Sequence, residues 1–155
     1  MTALSFAQFG GPAVVARGGM AARAVMSADD IGRAFQIPRA SHASEKFVAR
    51  LARSGVTQGA ATAVVTKDGV LRLGLSLNAA KGVDHIRVVT GEISKCFSRK
   101  TCGELEALSR AVMRGNPLEG AVSFTRGILT GAAKPACKEG CAAGLRTMGV
   151  IDGVL

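Results

Sequence analysis

Three cysteines and one glutamate carry the chemistry open to this chain. Cys102 and Glu104 stand in Cys-Gly-Glu, and Cys137 and Cys141 form a Cys-x-x-x-Cys pair further along. The apolar spacing around them predicts one helix over about 101–114 and another over about 137–148, so the thiols gather at two helix starts, where the helix dipole favours thiolate over thiol. At about 100° per residue, positions 137, 141, 145 and 148 share one face of the later helix, which points both thiols the same way as Leu145 and Met148, toward the core. On the earlier helix Leu105, Leu108 and Val112 form the buried stripe; Cys102 and Glu104 flank it, and Glu106 projects away. Three thiolates would give zinc three protein ligands and leave the fourth position open, as catalytic zinc requires. An open zinc site brings the pKa of its water to about 7, and a carboxylate beside it can carry protons between that water and a leaving group.

Plainer readings of the same residues stand beside this one. Thr101-x-x-Glu104 is also a capping box, in which Glu104 would only satisfy helix-terminal amides. The cysteines are also consistent with small buried hydrophobes, or with a closed structural site in which Cys96 joins Cys102, Cys137 and Cys141 around zinc. The six-residue step from Cys96 to Cys102 is unlike a metal knuckle, and Cys96 is left out of the ligand set. Asn78 is a turn former as well as a candidate substrate contact, and His85 reads as a hydrogen-bonded loop or strand residue.

The elements that must position these groups are legible from periodicity. Phe47, Val48 and Leu51 share one side of a helix over about 44–54, with Gly55 where a left-handed C-terminal residue is wanted. Val- and Thr-rich residues 60–66, the turn Lys67-Asp68-Gly69, and residues 70–77 with Leu71, Leu73, Leu75 and Leu77 alternating on one face predict a β-hairpin that Asn78 ends. Residues 85–89 fit either a short strand or a loop. A strand-like run at 121–125 and an apolar tail at 150–155 complete the order helix, strand, strand, helix, strand, helix, strand, which predicts an α/β layered domain with a mixed sheet. Residues 1–40, with Gly10-Gly11-Pro12 and Gly18-Gly19, read as a leader or linker. Its first basic residue, Arg17, follows the apolar stretch instead of preceding it as in a secretory signal. Ser27 would cap a short helix through Ile31 and Phe35 that stops before Pro38, leaving 41–155 as the functional domain.

Composition narrows the partners. The 155 residues carry 20 Lys+Arg against 11 Asp+Glu, a net charge of +9 that points to a polyanion such as nucleic acid. No run nears the roughly 18 apolar residues of a membrane span, and a membrane is not among the expected partners. Six Phe with no Trp or Tyr disfavour a long stacked track of bases. Four cysteines are too few for a disulfide scaffold, so reduced thiols or a metal site are expected.

Cys102-Gly103-Glu104, then a strand, then Pro135-Ala136-Cys137-x-x-x-Cys141 followed by Leu145, Gly149 and Val150, resembles the zinc-dependent nucleobase deaminase superfamily, whose signature is H-x-E followed by P-C-x-x-C. Cys in place of His is similar to the YwqJ-like branch of bacterial polymorphic-toxin deaminases. The chain departs from the signature in its Cys-x-x-x-Cys spacing and in the residue between Pro135 and Cys137, and neither His42 nor His85 is followed two residues later by Glu. The likeness, which covers 41–155, implies a cytidine-deaminase-like layered fold and zinc on Cys102, Cys137 and Cys141. It further implies Glu104 as proton shuttle and Asn78, Lys134 and Pro135 against the substrate. The implied reaction is hydrolytic deamination of a base, cytosine to uracil in single-stranded or locally opened DNA being favoured over RNA, with adenine as the alternative base. The implied setting is a monomeric bacterial effector secreted into a target cell's cytoplasm and neutralised by a cognate immunity protein. The non-enzymatic alternative is a basic nucleic-acid-binding module with structural zinc.

Overall fold

A computed structural model describes residues 28–155, with side chains from residue 34 onward. Helix α1 (Ala28–Arg53) buries Ala40, Ser44, Val48 and Leu51, a stripe at three- and four-residue steps. The helix runs through Pro38 and so across the expected junction at 40/41; the stop before Pro38 is not found. Proline there forfeits one backbone hydrogen bond, at about 3 kcal/mol. Ile37 and Ala40, on either side of it, pack into one cluster with Val65, Val122 and Phe124, and that burial carries the helix across. The cap expected of Ser27 and the glycine-rich leader lie outside the described residues.

The hairpin forms as its pattern predicts. Strands β1 (Ala60–Val65) and β2 (Leu71–Leu75) pair antiparallel with Ala61 opposite Leu75 and Val65 opposite Leu71, and Gly69 turns them at φ 89°. Leu77 and Asn78 do not extend β2. They open helix α2 (Leu77–Gly82), which starts early because Ser76 caps it, its Oγ accepting from the Ala79 and Ala60 amides. Residues 85–89 are loop. Helices α3 (Gly91–Ser94) and α4 (Gly103–Met113), strands β3 (Val122–Gly127) and β4 (Ala133–Lys134), helix α5 (Cys141–Thr147) and strand β5 (Ile151–Asp152) follow. The sheet order is β2-β1-β3-β4, all antiparallel, while β5 joins β3 in parallel. This mixed five-stranded sheet flanked by helices is the expected α/β layered architecture.

Alternation along β1 divides the core. Ala61 and Val65 face α1 with Val48, Leu51 and Ala40, whereas Val64 faces α4 with Leu105 and Leu108. Two glycines let α4 lie unusually close to the sheet. A Cβ on Gly74 of β2 would meet the Ala107 nitrogen and the Gly103 oxygen at 2.4 Å, and one on Gly103 would meet Thr62 Oγ1 at 2.7 Å. Among the described residues no helix is long and apolar enough to cross a membrane.

Candidate metal centre and its cavity

The close approach of α4 places its first turn against the cross-strand row Gly74, Thr62, Thr125, Lys134, successive partners on β2, β1, β3 and β4. Cys102 is the N-cap of α4 and makes no side-chain cap bond. Glu104 is then the second residue of the helix, one short of the capping-box position: its Oε2 accepts from Thr125 Oγ1 at 3.1 Å, and it is 4% exposed. The capping-box reading is replaced by a buried carboxylate held on the sheet. Cys141 arrives from the other side as the first residue of α5. Cys102 Sγ, a Glu104 carboxylate oxygen and Cys141 Sγ all lie within 4.8 Å of one another. Two soft thiolate sulfurs and one carboxylate oxygen are a donor set able to hold a metal ion.

Cys137 is placed differently from expectation. Helix α5 begins at Cys141, so Cys137 precedes it in a turn whose carbonyl accepts from the Gly140 and Ala142 amides, and the shared helical face expected of 137 and 141 does not exist. Gly140 at the N-cap, instead of a side-chain cap further upstream, sets this start. Cys137 Sγ receives Arg99 Nη1 at 3.2 Å and donates to Glu139 Oε1 at 3.1 Å. It lines the same cavity as the other thiols without joining their cluster. Cys96 bonds the Glu92 carbonyl at 3.7 Å, outside the cavity.

The cavity, about 430 Å³, is lined by Asn78, Lys134, Pro135, Arg99, Thr125, Glu104 and all three site cysteines, together with Gly59, Ala60, Ser76, Thr101 and Gly103. Every residue the motif reading singled out reaches this one space. Asn78 does so from the first turn of α2, not from a strand end. From residues 81–100 and 130–134, the stretches that precede the two motifs, only Arg99 and Lys134 line it. Among the described residues no aromatic ring lines it.

The electrostatics set Glu104 and the thiols apart from ordinary side chains. Burial pushes its carboxyl above the usual range, against the hydrogen bonds from its own backbone and Thr125. The thiols share a proton: a hydrogen bond from Cys141 holds Cys102 below the ordinary thiol value, and the same bond, with burial, pushes Cys141 up. Arg99 is raised above its ordinary value, chiefly by its bond to Cys137.

Sequence reasoning sent Glu106 outward; its side chain is 1% exposed. Helix α4 is covered on nearly all sides, because the loop over 84–90 folds across the flank opposite the cavity, so a stripe argument built for a half-exposed helix fails. Glu106 accepts from the Val88 amide at 2.7 Å, the Leu75 amide at 2.9 Å, His85 Nε2 at 2.8 Å and Arg110 Nη2 at 3.4 Å. Arg87 completes the tie, donating to the Leu75, Lys100 and Cys102 carbonyls at 2.5–2.9 Å. Nothing in the periodicity marks Glu106, Arg87, Thr62 or Thr125; only the strand register and the loop path bring them to the site. No known protein family, curated protein or solved structure matches the chain.

Proposed function

We propose that this chain is a zinc-dependent nucleobase deaminase that hydrolyses cytosine to uracil in nucleic acid, single-stranded or locally opened DNA being the favoured substrate. One observation carries the reading: a buried carboxylate with a raised pKa stands within 4.8 Å of two thiols on the wall of a cavity that also collects Asn78, Lys134 and Pro135. Cys102 and Cys141 would hold zinc, with Cys137 on the same wall as the third thiolate that the motif supplies. Zinc so bound supplies the Lewis acidity that makes water a nucleophile at neutral pH.

Glu104 does the proton work. In the balanced reaction, water adds at the amino-bearing ring carbon and ammonia leaves: Glu104 takes the first proton from the water and gives it to the ring nitrogen, then takes the second from the hydroxyl now on that carbon and gives it to the departing amine as the carbon–nitrogen bond breaks. Burial shifts Glu104 toward its neutral form, the direction that suits a group that must give a proton as well as take one. Asn78 hydrogen-bonds the base or sugar, and Lys134 and Arg99 meet backbone phosphate at the mouth, which agrees with the +9 charge. Without an aromatic wall, the base is gripped by polar contacts, Ala60 and Pro135, so the footprint on the strand is short. The resemblance adds the biological frame of an intercellular effector acting in a target cell's cytoplasm under control of an immunity protein. The rival reading is a non-enzymatic basic nucleic-acid-binding module with structural zinc, in which Glu104 would play no catalytic part.

Expression in bacteria lacking uracil repair, followed by genome and transcript sequencing, tests the proposal. C-to-T transitions with the wild-type chain and none with Glu104→Gln are expected. A-to-G changes would move the assignment to adenine, and a wild-type chain leaving neither signature would overturn it.

A further inference from the structure

Glu104 is not held by its own helix alone. Thr62 and Thr125 face each other across β1 and β3, their hydroxyls are 2.7 Å apart, and Thr125 Oγ1 lies 3.1 Å from Glu104 Oε2. All three side chains belong to buried residues: Thr62 is 0% exposed and Thr125 6%. Thr125 Oγ1 donates to Glu104 Oε2, and a hydroxyl has one hydrogen to give. Thr125 must therefore spend its hydrogen on Glu104, and the 2.7 Å contact must be Thr62 donating to Thr125. The direction of the chain is fixed: Thr62 to Thr125 to Glu104 Oε2.

We propose that Thr62 and Thr125 are positioning residues for Glu104, a buried hydroxyl chain that pins Oε2 and so fixes where the carboxyl group stands. This rests on the deaminase reading for its catalytic meaning. The chain is built on paired strands, not on loops, so the backbone register itself sets where the carboxylate stands. Consecutive bonds of this kind also polarise one another, which strengthens the last one, to Glu104. Gly103 is part of the same device, since a Cβ there would meet Thr62 Oγ1 at 2.7 Å; only glycine lets the helix start come down onto the hydroxyl pair.

The test compares Thr125→Val, Thr125→Ser, Thr62→Val and the double valine variant in the zinc-loaded chain, using a single-stranded cytosine oligonucleotide as probe. Thr125→Val keeps the volume and removes the hydroxyl; kcat is expected to fall roughly 100-fold with KM within about 3-fold, the size of effect a misplaced catalytic group produces. Thr125→Ser recovers most of that loss. Thr62→Val costs about 10-fold, and the double variant is no slower than Thr125→Val, because the chain acts as a unit. A second readout needs no activity and no threonine variant: the Thr125 hydroxyl proton should be resolved by proton NMR as slowly exchanging and downfield, and should move upfield in Glu104→Gln. A kcat for Thr125→Val within about 3-fold of wild type, below any effect a misplaced group should give, or a hydroxyl proton that exchanges freely or ignores Glu104→Gln, overturns the positioning role. If the wild-type chain converts no cytosine, the deaminase reading fails by itself, and the NMR result still decides whether the chain exists.

Discussion

Glu104 and Glu106 are two carboxylates two residues apart on one helix, both buried, and their environments push them in opposite directions. Burial raises Glu104, which has a threonine hydroxyl as its neighbouring side-chain oxygen donor. Burial acts on Glu106 as well, but bonds from the Val88 amide, His85 and the Leu75 amide outweigh it and hold the carboxylate below its usual range. Four donors reach Glu106. Heavier desolvation at Glu104 and fuller donor supply at Glu106 together separate the two carboxyl groups. In the proposed function, the flank of α4 facing the cavity carries chemistry and the flank facing residues 84–90 carries stability.

The comparison breaks most readily at Glu104. Glu104→Gln should lower cytosine conversion by at least about 10³-fold, in the upper range of general acid–base effects, while zinc content and Tm stay near wild type. A Tm collapse would make Glu104 a stabilising group like Glu106. Next come the thiols. Cys102→Ser and Cys141→Ser should each strip zinc from the purified chain, read by metal analysis, whereas Cys96→Ser should not. Cys137→Ser is the discriminating variant: loss of zinc there makes it the third ligand, and full retention confines it to its bonds with Arg99 and Glu139.

Glu106→Ala should cost about 2–4 kcal/mol in urea unfolding, because it leaves buried amides and His85 without their acceptor, with activity lost only in step with the unfolded fraction. Its pH signature follows from the lowered pKa. Glu106 stabilises the fold above the ordinary carboxylate value of roughly 4.3 and loses that contribution as pH falls through its depressed folded value. Acid unfolding of Glu106→Gln should therefore be less steep than that of wild type. The smallest effect is expected at Gly103→Ala, about 1–3 kcal/mol for forcing a methyl against Thr62, with a fall in activity out of proportion to the loss of stability because Glu104 moves with the helix start.

Much of this was legible before the structure. The hairpin and the layered α/β class follow from alternation and element order, and the grouping of Asn78, Lys134 and Pro135 with Cys102, Glu104 and Cys141 is what the resemblance implies. What could not be read depends on the path of the chain in space. Pro38 looked like a stop because local propensity was weighed without the packing of Ile37 and Ala40. Cys137 looked helical because its spacing to Cys141 fits one turn, yet the helix starts a turn later. Glu106 looked solvated because the loop that covers it has no periodicity of its own. Thr62 and Thr125 are sixty-three residues apart, and only strand register makes them neighbours.

The most direct measurement incubates the purified chain, carrying about one zinc as one open site requires, with a cytosine-containing single strand. Uracil is then read by excision and strand cleavage, beside Glu104→Gln at matched zinc. The account predicts uracil from the wild-type chain and none above background from the variant. Equal uracil from both, or none from a folded and zinc-loaded wild-type chain on DNA or RNA, would contradict it.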